Sequence, residues 1–569
     1  MPKDPAPAAP AEKFREVEDV TAGTSVAGGM PAGGAQLEGA GAPVAAASEG
    51  EAAARAASLG LSAEGAPAKA APAAAPAAQE MSRARFMCIF IAIMLARMVS
   101  SLSANITSTA MPTIVGELGG VDIMQWITTV YILASTITMP VYGKLGDLFG
   151  RKYLMIVAIS MYTAGKLVCM VAPNMAVLLV GRAVSGLGGG GIIILAQAIV
   201  ADISTPRERG KWLGILHATF GIATFAGPLI GGWIVEVTTW RAIFLVTIPF
   251  AVVGIAGCAV FLPRPTRQPS PRFDLAGTLV MAGATSALVV LTSLVGKQGD
   301  WGSPVVLTLA LAFVCLLVAF ILVERRAAQP IIPLYFFKNR NFVLVTIAGI
   351  ICWIILMGTD DYLPTWLQIA RGMEPAFAGL AMASLMGGNM LTSMAAGFAA
   401  SATGHYKWMI LLMFPVTGVG VWLASSVTAA TPLWQLLLYL LLIGAGLGMG
   451  TQMFVLVVQN EFSHAVVGTA TAAHGYFRQA GKTLGASVIG AQFTSRLVAN
   501  LADKIPASAH VSLEKLTPEA VRGLDASLRA TIATGYTQAL MPIFAWYVPL
   551  LALGFVLCLF IKETPLRTE

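Results

Sequence analysis

Apolar runs of about 20 residues recur along this chain, each long enough to cross a hydrocarbon core of about 30 Å as a helix. Fourteen can be marked, at 86–114, 125–146, 153–172, 176–201, 211–236, 240–262, 274–296, 303–323, 341–368, 376–400, 407–426, 433–459, 466–495 and 541–561. Backbone in hydrocarbon must satisfy its own hydrogen bonds, so these runs predict an all-α membrane protein. Composition agrees, because charged residues make up 11% of the chain against about 25% in soluble domains.

Basic residues fall after the even-numbered segments: Arg151 and Lys152; Arg207, Arg209 and Lys211; Arg264, Arg267 and Arg272; Arg325, Arg326, Lys338 and Arg340. Connections after odd-numbered segments are poorer in them, and "GELGGVD", "APNM" and "SSVTAATP" hold none. Short loops rich in Lys and Arg stay cytoplasmic, which places both termini in the cytoplasm. The net charge of +7 is then a topology signal and not a nucleic-acid footprint. Residues 1–82 are Ala/Pro/Gly-rich without an apolar face, and read as a disordered cytoplasmic tail with no signal peptide. The loop at 499–537 reads as external, with Thr517 and Pro518 opening a short helix. Residues 563–569 form a cytoplasmic tail. Six cysteines in six different segments read as small hydrophobes. No metal, cofactor or nucleotide site is expected, and "GAGLGMG" at 444–450 lies inside an apolar helix without the strand and Lys-Ser/Thr of a phosphate loop.

An internal repeat organises the segments. "MPTIVGELGG" at 111–120 matches "LPTWLQIARG" at 363–372, and "GKLGDLFGRKYLM" at 143–155 matches "GFAASATGHYKWM" at 397–409, in the same order and at nearly the same offset. The domains that follow are a six-helix bundle at 83–265, two inserted helices at 266–326 and a second six-helix bundle at 327–562. Parallel repeats of this kind suggest alternating access around a midplane site.

"GKLGDLFGRK", from Gly143 to Lys152, resembles motif A of the major facilitator superfamily. "GRAVSGLGGGG" resembles the motif with an intramembrane Arg, here Arg182, with Ser185 where Gln is usual. "GILHATFGIATFAGPLIGG" resembles the antiporter motif C, with Gly214, Gly227, Pro228, Gly231 and Gly232 in place and Ala223 replacing one Gly. With "WRAIFLVTIPFA" and "HGYFRQAGKTLG" the resemblance spans most of residues 85–565, and the segment count is similar to that of the fourteen-span drug/proton antiporters of the EmrB/QacA type. It implies a major facilitator fold of two six-helix bundles plus two inserted helices. It also implies a gate at Gly143, Gly146, Asp147, Gly150, Arg151 and Lys152, with Asp147 at the start of the thirteenth helix, where Ser463 is the expected N-cap. For motif C, a kinked gating helix at Pro228 and plain small-residue packing both remain open.

Ionisable residues inside spans are costly and mark transport pathways. They are Arg97, Lys166, Arg182, Asp360, Asp361, His474, Arg478 and Lys482. Many fourteen-span relatives carry an Asp in an "LDxT"-like stretch of the first helix, where this chain has Ser103. Arg97, Ser101, Asn105 and Ser108 instead form a polar stripe on one face of that helix. Its repeat twin, the ninth segment, carries Asp360 and Asp361. This pair is the candidate proton carrier, with Arg97 or Arg182 as a basic neighbour; a purely structural ion pair is the competing reading. His474, Arg478 and Lys482 line one face of the thirteenth helix, either as an anion site or as counter-charges for the acids. Trp126, Tyr131 and Gln452 are cavity candidates by position, and Lys166, on a peripheral helix, is expected to snorkel.

The expected function is proton-coupled efflux of amphipathic, drug-like compounds, with a small-molecule substrate, protons and the bilayer as partners. An exporter of an anionic metabolite or lipid, and a non-transporting sensor or scaffold, are the alternatives. Neither an enzyme nor an ATP-driven pump is expected, since no catalytic or nucleotide-binding motif is visible.

Overall fold

The structure, a computed structural model, describes residues 81–119, 123–264, 273–298, 302–502, 504, 518–564 and 566. Residues 1–80 of the tail expected to be disordered, Arg267, Arg272, Thr517 and the rest of 505–517 within the expected external loop lie outside them.

Fourteen long helices run through the described residues: α1 Arg83–Leu118, α2 Trp126–Phe149, α3 Arg151–Met170, α4 Met175–Ile203, α5 Pro206–Val237, α6 Ala242–Phe261, α7 Leu275–Gln298, α8 Pro304–Arg326, α9 Arg340–Ala370, α10 Pro375–Thr403, α11 Lys407–Ser425, α12 Leu433–Glu461, α13 Val467–Leu501 and α14 Ala526–Leu559. Eleven are long and apolar enough to cross a membrane; α2, α10 and α13 fall outside that set. Local chemistry sets their ends. Ser82, Asn174, Thr205 and Asn339 accept backbone N–H groups at the starts of α1, α4, α5 and α9. Pro206 takes the first position of α5, where no N–H is needed.

Three sequence expectations shift. The segment at 240–262 is not continuous, since α6 is made of Ala242–Leu245 and Ile248–Phe261. The last helix begins at Ala526, well before the expected 541, so part of the external loop is helix. Its added turns have a packing reason: Leu501 fills the space over Gly535, and Tyr536 stacks on Phe493 at 4.7 Å. The short helix Pro518–Arg522 is present at the expected place. Finally α13 starts with Val466 in the cap position and no side-chain cap of its own, so Ser463 does not cap it.

The packing repeats. In the first six helices α2 and α3 pack on α4, α1 packs on α5 and α6, and α3 packs on α6. Each pairing recurs eight helices later: α10 and α11 on α12, α9 on α13 and α14, α11 on α14. The two groups meet along two seams, α2 with α13 and α5 with α10, and these exchange under the same shift. The glycine run of α4 explains how tightly its neighbours sit. A Cβ at Gly186 would lie 2.6 Å from the Tyr131 carbonyl oxygen of α2, and one at Gly188 2.5 Å from the Tyr162 backbone nitrogen of α3. The run at 444–450 does the same in α12, with Gly446 against the backbone of Thr417 and Gly448 against Asn389. Small residues let backbones approach where apolar burial gives no drive between helices in lipid.

Helices α7 and α8 pack on each other, and α7 lies against α13 and α2, over one seam only. Among described residues the helices packed on α5 and α10 all belong to the two groups. Helix α8 exposes Leu307, Leu311, Val314, Val318 and Leu322, as expected of a helix with hydrocarbon around it.

Four glycines have positive φ: Gly119, Gly150, Gly372 and Gly404. They fall in two repeat-related pairs, at the ends of α1 and α9 and of α2 and α10. Gly404 (φ 76°) caps α10 in the left-handed region. Gly404→Ala should therefore lower the thermal transition in detergent, at a cost of about 1–2 kcal/mol. Gly418→Ala, inside α11 with nothing within 4 Å of its Cβ position, should be neutral or stabilising by up to about 1 kcal/mol.

Candidate functional site

The end of the bundle that carries the basic loops is held shut by Asp147. Its carboxylate, 3% exposed, accepts from the Gly468 N–H (3.1 Å), the Thr469 N–H (2.6 Å) and the Thr469 hydroxyl (2.7 Å). It thus supplies the N-terminal cap that α13 lacks, across the seam, where an anion meets the positive end of the helix dipole. Arg151 holds Asp147 from behind (2.9 Å), donates to the Ala198 carbonyl (2.6 Å) and pairs with Asp202. Gly143 makes room for the approach, since a Cβ there would lie 2.8 Å from the Gly468 carbonyl oxygen. Gly146 faces Leu195, and Gly150 (φ 86°) turns the chain from α2 into α3. Lys152 donates to the Leu262 carbonyl (2.7 Å) at the end of α6; in the other half Lys407 donates to the Leu559 carbonyl (2.9 Å) at the end of α14.

Further bonds close the same end. Arg207 donates to the Ser401 and Ala402 carbonyls (both 2.9 Å), Arg209 to the Gln459 carbonyl (3.2 Å), and Gln459 to the Gln197 carbonyl (3.1 Å). Deeper in, Gln452 donates to the Leu213 carbonyl (3.1 Å), and His217 is bonded to Asn389 (3.1 Å). His217 and Asn389 lie about 16–21 Å along their helices from this end. Among described residues no side-chain hydrogen bond joins the two groups beyond that depth.

Motif C divides its glycines between two neighbours. Gly214 lies against α10, 2.7 Å from Cβ position to the Ser393 carbonyl oxygen, while Gly227 and Gly231 lie against Asn105 and Thr109 of α1. Gly232 has nothing within 4 Å, and Pro228 sits inside an unbroken α5. The stripe of α1 is accordingly spent in part on packing: Asn105 donates to the Ser101 carbonyl (3.0 Å) and approaches Thr224 (3.5 Å) of α5. Ser108 is exposed.

Asp360 and Asp361 face the open end. A cavity of 320 Å³ there is lined by Gln125 just before α2, Thr128 and Thr129 of α2, Thr292 and Ser293 of α7, Asp361 and Tyr362 of α9, and Lys482 and Ser487 of α13. The positive charge acting on both acids is Lys482. Arg182 and Arg97, the neighbours expected from sequence, lie elsewhere. Arg182 donates to the Ile127 carbonyl (2.9 Å) and stacks over the Tyr131 ring at 4.6 Å. Tyr131 in turn is bonded to Ser100 (3.2 Å), so it props α1 against α2. Arg97 interacts with Tyr131 and with Arg478. The three basic residues of α13 separate likewise: Lys482 joins the acids, Arg478 stacks on Trp353 at 4.8 Å, and His474 bonds Thr346 (3.3 Å). Trp126 is half-buried at the start of α2, and its neighbours Gln125, Thr128 and Thr129 line the cavity instead.

Lys166 does not snorkel. It is fully buried among α3, α4 and α6, 5.1 Å from the Tyr162 ring and 5.2 Å from the Phe244 ring, with no hydrogen-bond partner for Nζ among described residues. Broken helix α6 brings Phe244 over it, a feature that hydropathy does not register. Sequence reading also missed His217, Asn389 and Gln459, which look like ordinary polar residues of apolar helices until their cross-seam partners are known.

The profile of the Major Facilitator Superfamily matches residues 93–486. An uncharacterized MFS-type transporter of Mycobacterium tuberculosis is 32% identical over 491 residues, 85% of this chain and 71% of that one. Multidrug transporter protein MdtP of Bacillus subtilis is 29% identical over 518 residues, 86% of this chain and 96% of that one. The efflux pump FUS6 of Gibberella fujikuroi is 28% identical over 505 residues, 85% and 90% of the two chains. In structure, the human organic anion transporter MFSD10 (TETRAN) superposes with a TM-score of 0.54 over 83% of this chain and 99% of its own, at 14% identity, a likeness of fold.

The Asp147 contacts make a quantitative claim. Asp147→Asn should weaken closure of the basic end by about 1–3 kcal/mol, the range for charge-assisted hydrogen bonds. Spin labels at Tyr153 and Ser463, both exposed, should report a broader and longer distance distribution in the variant; an unchanged distribution would show the carboxylate contributes nothing to closure.

Proposed function

The chain belongs to the major facilitator superfamily, and on that premise we propose that it exports amphipathic, drug-like compounds in exchange for protons, by alternating access. The observation that carries the proton step is the acid pair on α9 beside Lys482, at the end of the bundle opposite the Asp147 latch. All fourteen helices span in this reading. The three with weaker hydropathy, α2, α10 and α13, are three of the four helices that line the seams, where a polar face meets protein and cavity instead of lipid. The basic end is the cytoplasmic one, with both termini there and the plasma (inner) membrane as the site of action.

Helix α13 links the parts. Its first turn receives Asp147, Arg478 lies at mid-depth and Lys482 at the acid pair, so one rigid element about 20 Å long runs from latch to proton site. Protonation of the pair removes its attraction for Lys482. The resulting shift of α13 against α9 is delivered to Gly468 and Thr469, where it loosens the cytoplasmic closure. Deprotonation toward the cytoplasm restores it. Gly143, Gly146 and Gly150 permit the close seam, and Gly227 with Gly231 permits α5 to slide on α1.

In proteoliposomes with an imposed proton gradient, Asp360→Asn with Asp361→Asn should lower gradient-driven export by about tenfold or more, a loss of about 1.4 kcal/mol. The single variants should fall between. Lys482→Met should share the loss. Full gradient-driven export by the double variant would remove the coupling role. Absence of uncoupler-sensitive flux across lipophilic cations, neutral compounds and organic anions would remove the exporter itself and favour a sensor or scaffold.

A further inference from the structure

Between latch and acid pair, the middle of the bundle holds donors without acceptors. Arg97 of α1 and Arg478 of α13, each 8% exposed, interact electrostatically with one another, and both act on His217 of α5. All three lie at about 16–21 Å along their helices from the basic end. Among described residues no carboxylate pairs with any of them, because the ion pairs involve only Arg151, Arg241 and His464 with Asp147, Asp202 and Glu117. Neither arginine has a hydrogen bond there. Asn389 accepts from the His217 ring Nε2 through Oδ1, which leaves its buried Nδ2 unpartnered. Trp353, stacked beneath Arg478, has a buried Nε1 without a partner too.

We propose that Arg97 and Arg478, one from each half, with Asn389 at their side, form a subsite for the oxyanion of an amphipathic organic acid, a carboxylate or its sulfonate or phosphate equivalent. This rests on the exporter reading and gives its cargo a charge. Two like charges deep in a low-dielectric bundle repel, and an acceptor-only group between them relieves that repulsion and satisfies donors that the protein itself leaves open. The Trp353 ring provides an apolar flank for the rest of the molecule. Asp360 and Asp361 do not serve as the counter-charge, since they lie further toward the open end, where the positive charge acting on them is Lys482. Because the two arginines stand on opposite halves, an oxyanion bound to both also bridges the halves, which links cargo occupancy to their separation.

The test uses three probes with one hydrophobe: 1-pyrenebutanoate, its methyl ester and 4-(1-pyrenyl)butyl-trimethylammonium, titrated into the full chain in nanodiscs. Pyrenebutanoate should bind at least about tenfold tighter than its ester, the effect of one charge-assisted hydrogen bond. In Arg478→Gln and in Arg97→Gln that ratio should fall below about threefold, while Arg478→Lys, which keeps the charge and guards against a folding artefact, should retain most of it. Preference for the trimethylammonium probe, binding of none of the three, or an unchanged ratio in both Gln variants would overturn the subsite. Uncoupler-sensitive export of lipophilic cations without pyrenebutanoate binding would leave the exporter standing and remove only this proposal. Carboxylate binding with no gradient-driven flux of any probe would do the reverse.

Discussion

The structure turns on a helix that cannot cap itself. Helix α13 begins with backbone N–H groups and no side chain of its own to receive them, and Asp147 of the opposite half provides the missing acceptor. Everything at that end is arranged around this loan. Gly143 lets the backbones meet, Arg151 steadies the carboxylate, and Asp202 and Ala198 steady Arg151. A cap supplied from within α13 would make the same hydrogen bonds and hold nothing else; one supplied across the seam makes helix stability depend on closure.

Much of this was legible in the sequence, for reasons that differ by residue. Helix number and order follow from solvent chemistry, since a span must be long, apolar and internally bonded. The repeat was visible in part because one pair of turns demands glycine. Gly150 and Gly404 stand at the ends of equivalent helices with positive φ, and no other residue takes that conformation without strain. The Asp147 contact was legible because "GKLGDLFGRK" resembles motif A of the superfamily, and that resemblance implies an acid at the start of the thirteenth helix. What the sequence concealed is pairing. Both halves expose several plausible partners for Asp360 and Asp361, and choosing Lys482 over Arg97 or Arg182 requires helix rotations that a periodicity of 3.6 leaves uncertain by a residue or more. Lys166 was misread for a related reason. Peripheral position in the helix order says nothing of the break in α6 that folds Phe244 over the ammonium group.

Charge is distributed by depth, which matters more to function than its sum. Near the basic end ionised groups are paired or capped, at mid-depth they are cationic and unsatisfied, and toward the open end acids meet a lysine. A molecule passing along this axis would meet one environment after another, each with its own preferred sign. The polar residues that mark the steps, His217, Asn389 and Gln452, are scattered over α5, α10 and α12, and only the fold gathers them.

The inserted helices give the molecule a handedness its repeat lacks. The two seams exchange under the shift of eight helices, yet α7 lies along α2 and α13 while among the described residues nothing comparable lies along α5 and α10. Thr292 and Ser293 of α7 even reach the acid cavity. In the proposed alternating access the halves would slide beneath a protein wall on one flank and against the bilayer on the other. Access by lipid-dissolved compounds would then differ between the two flanks. The insertion converts a symmetric hinge into a door with one jamb.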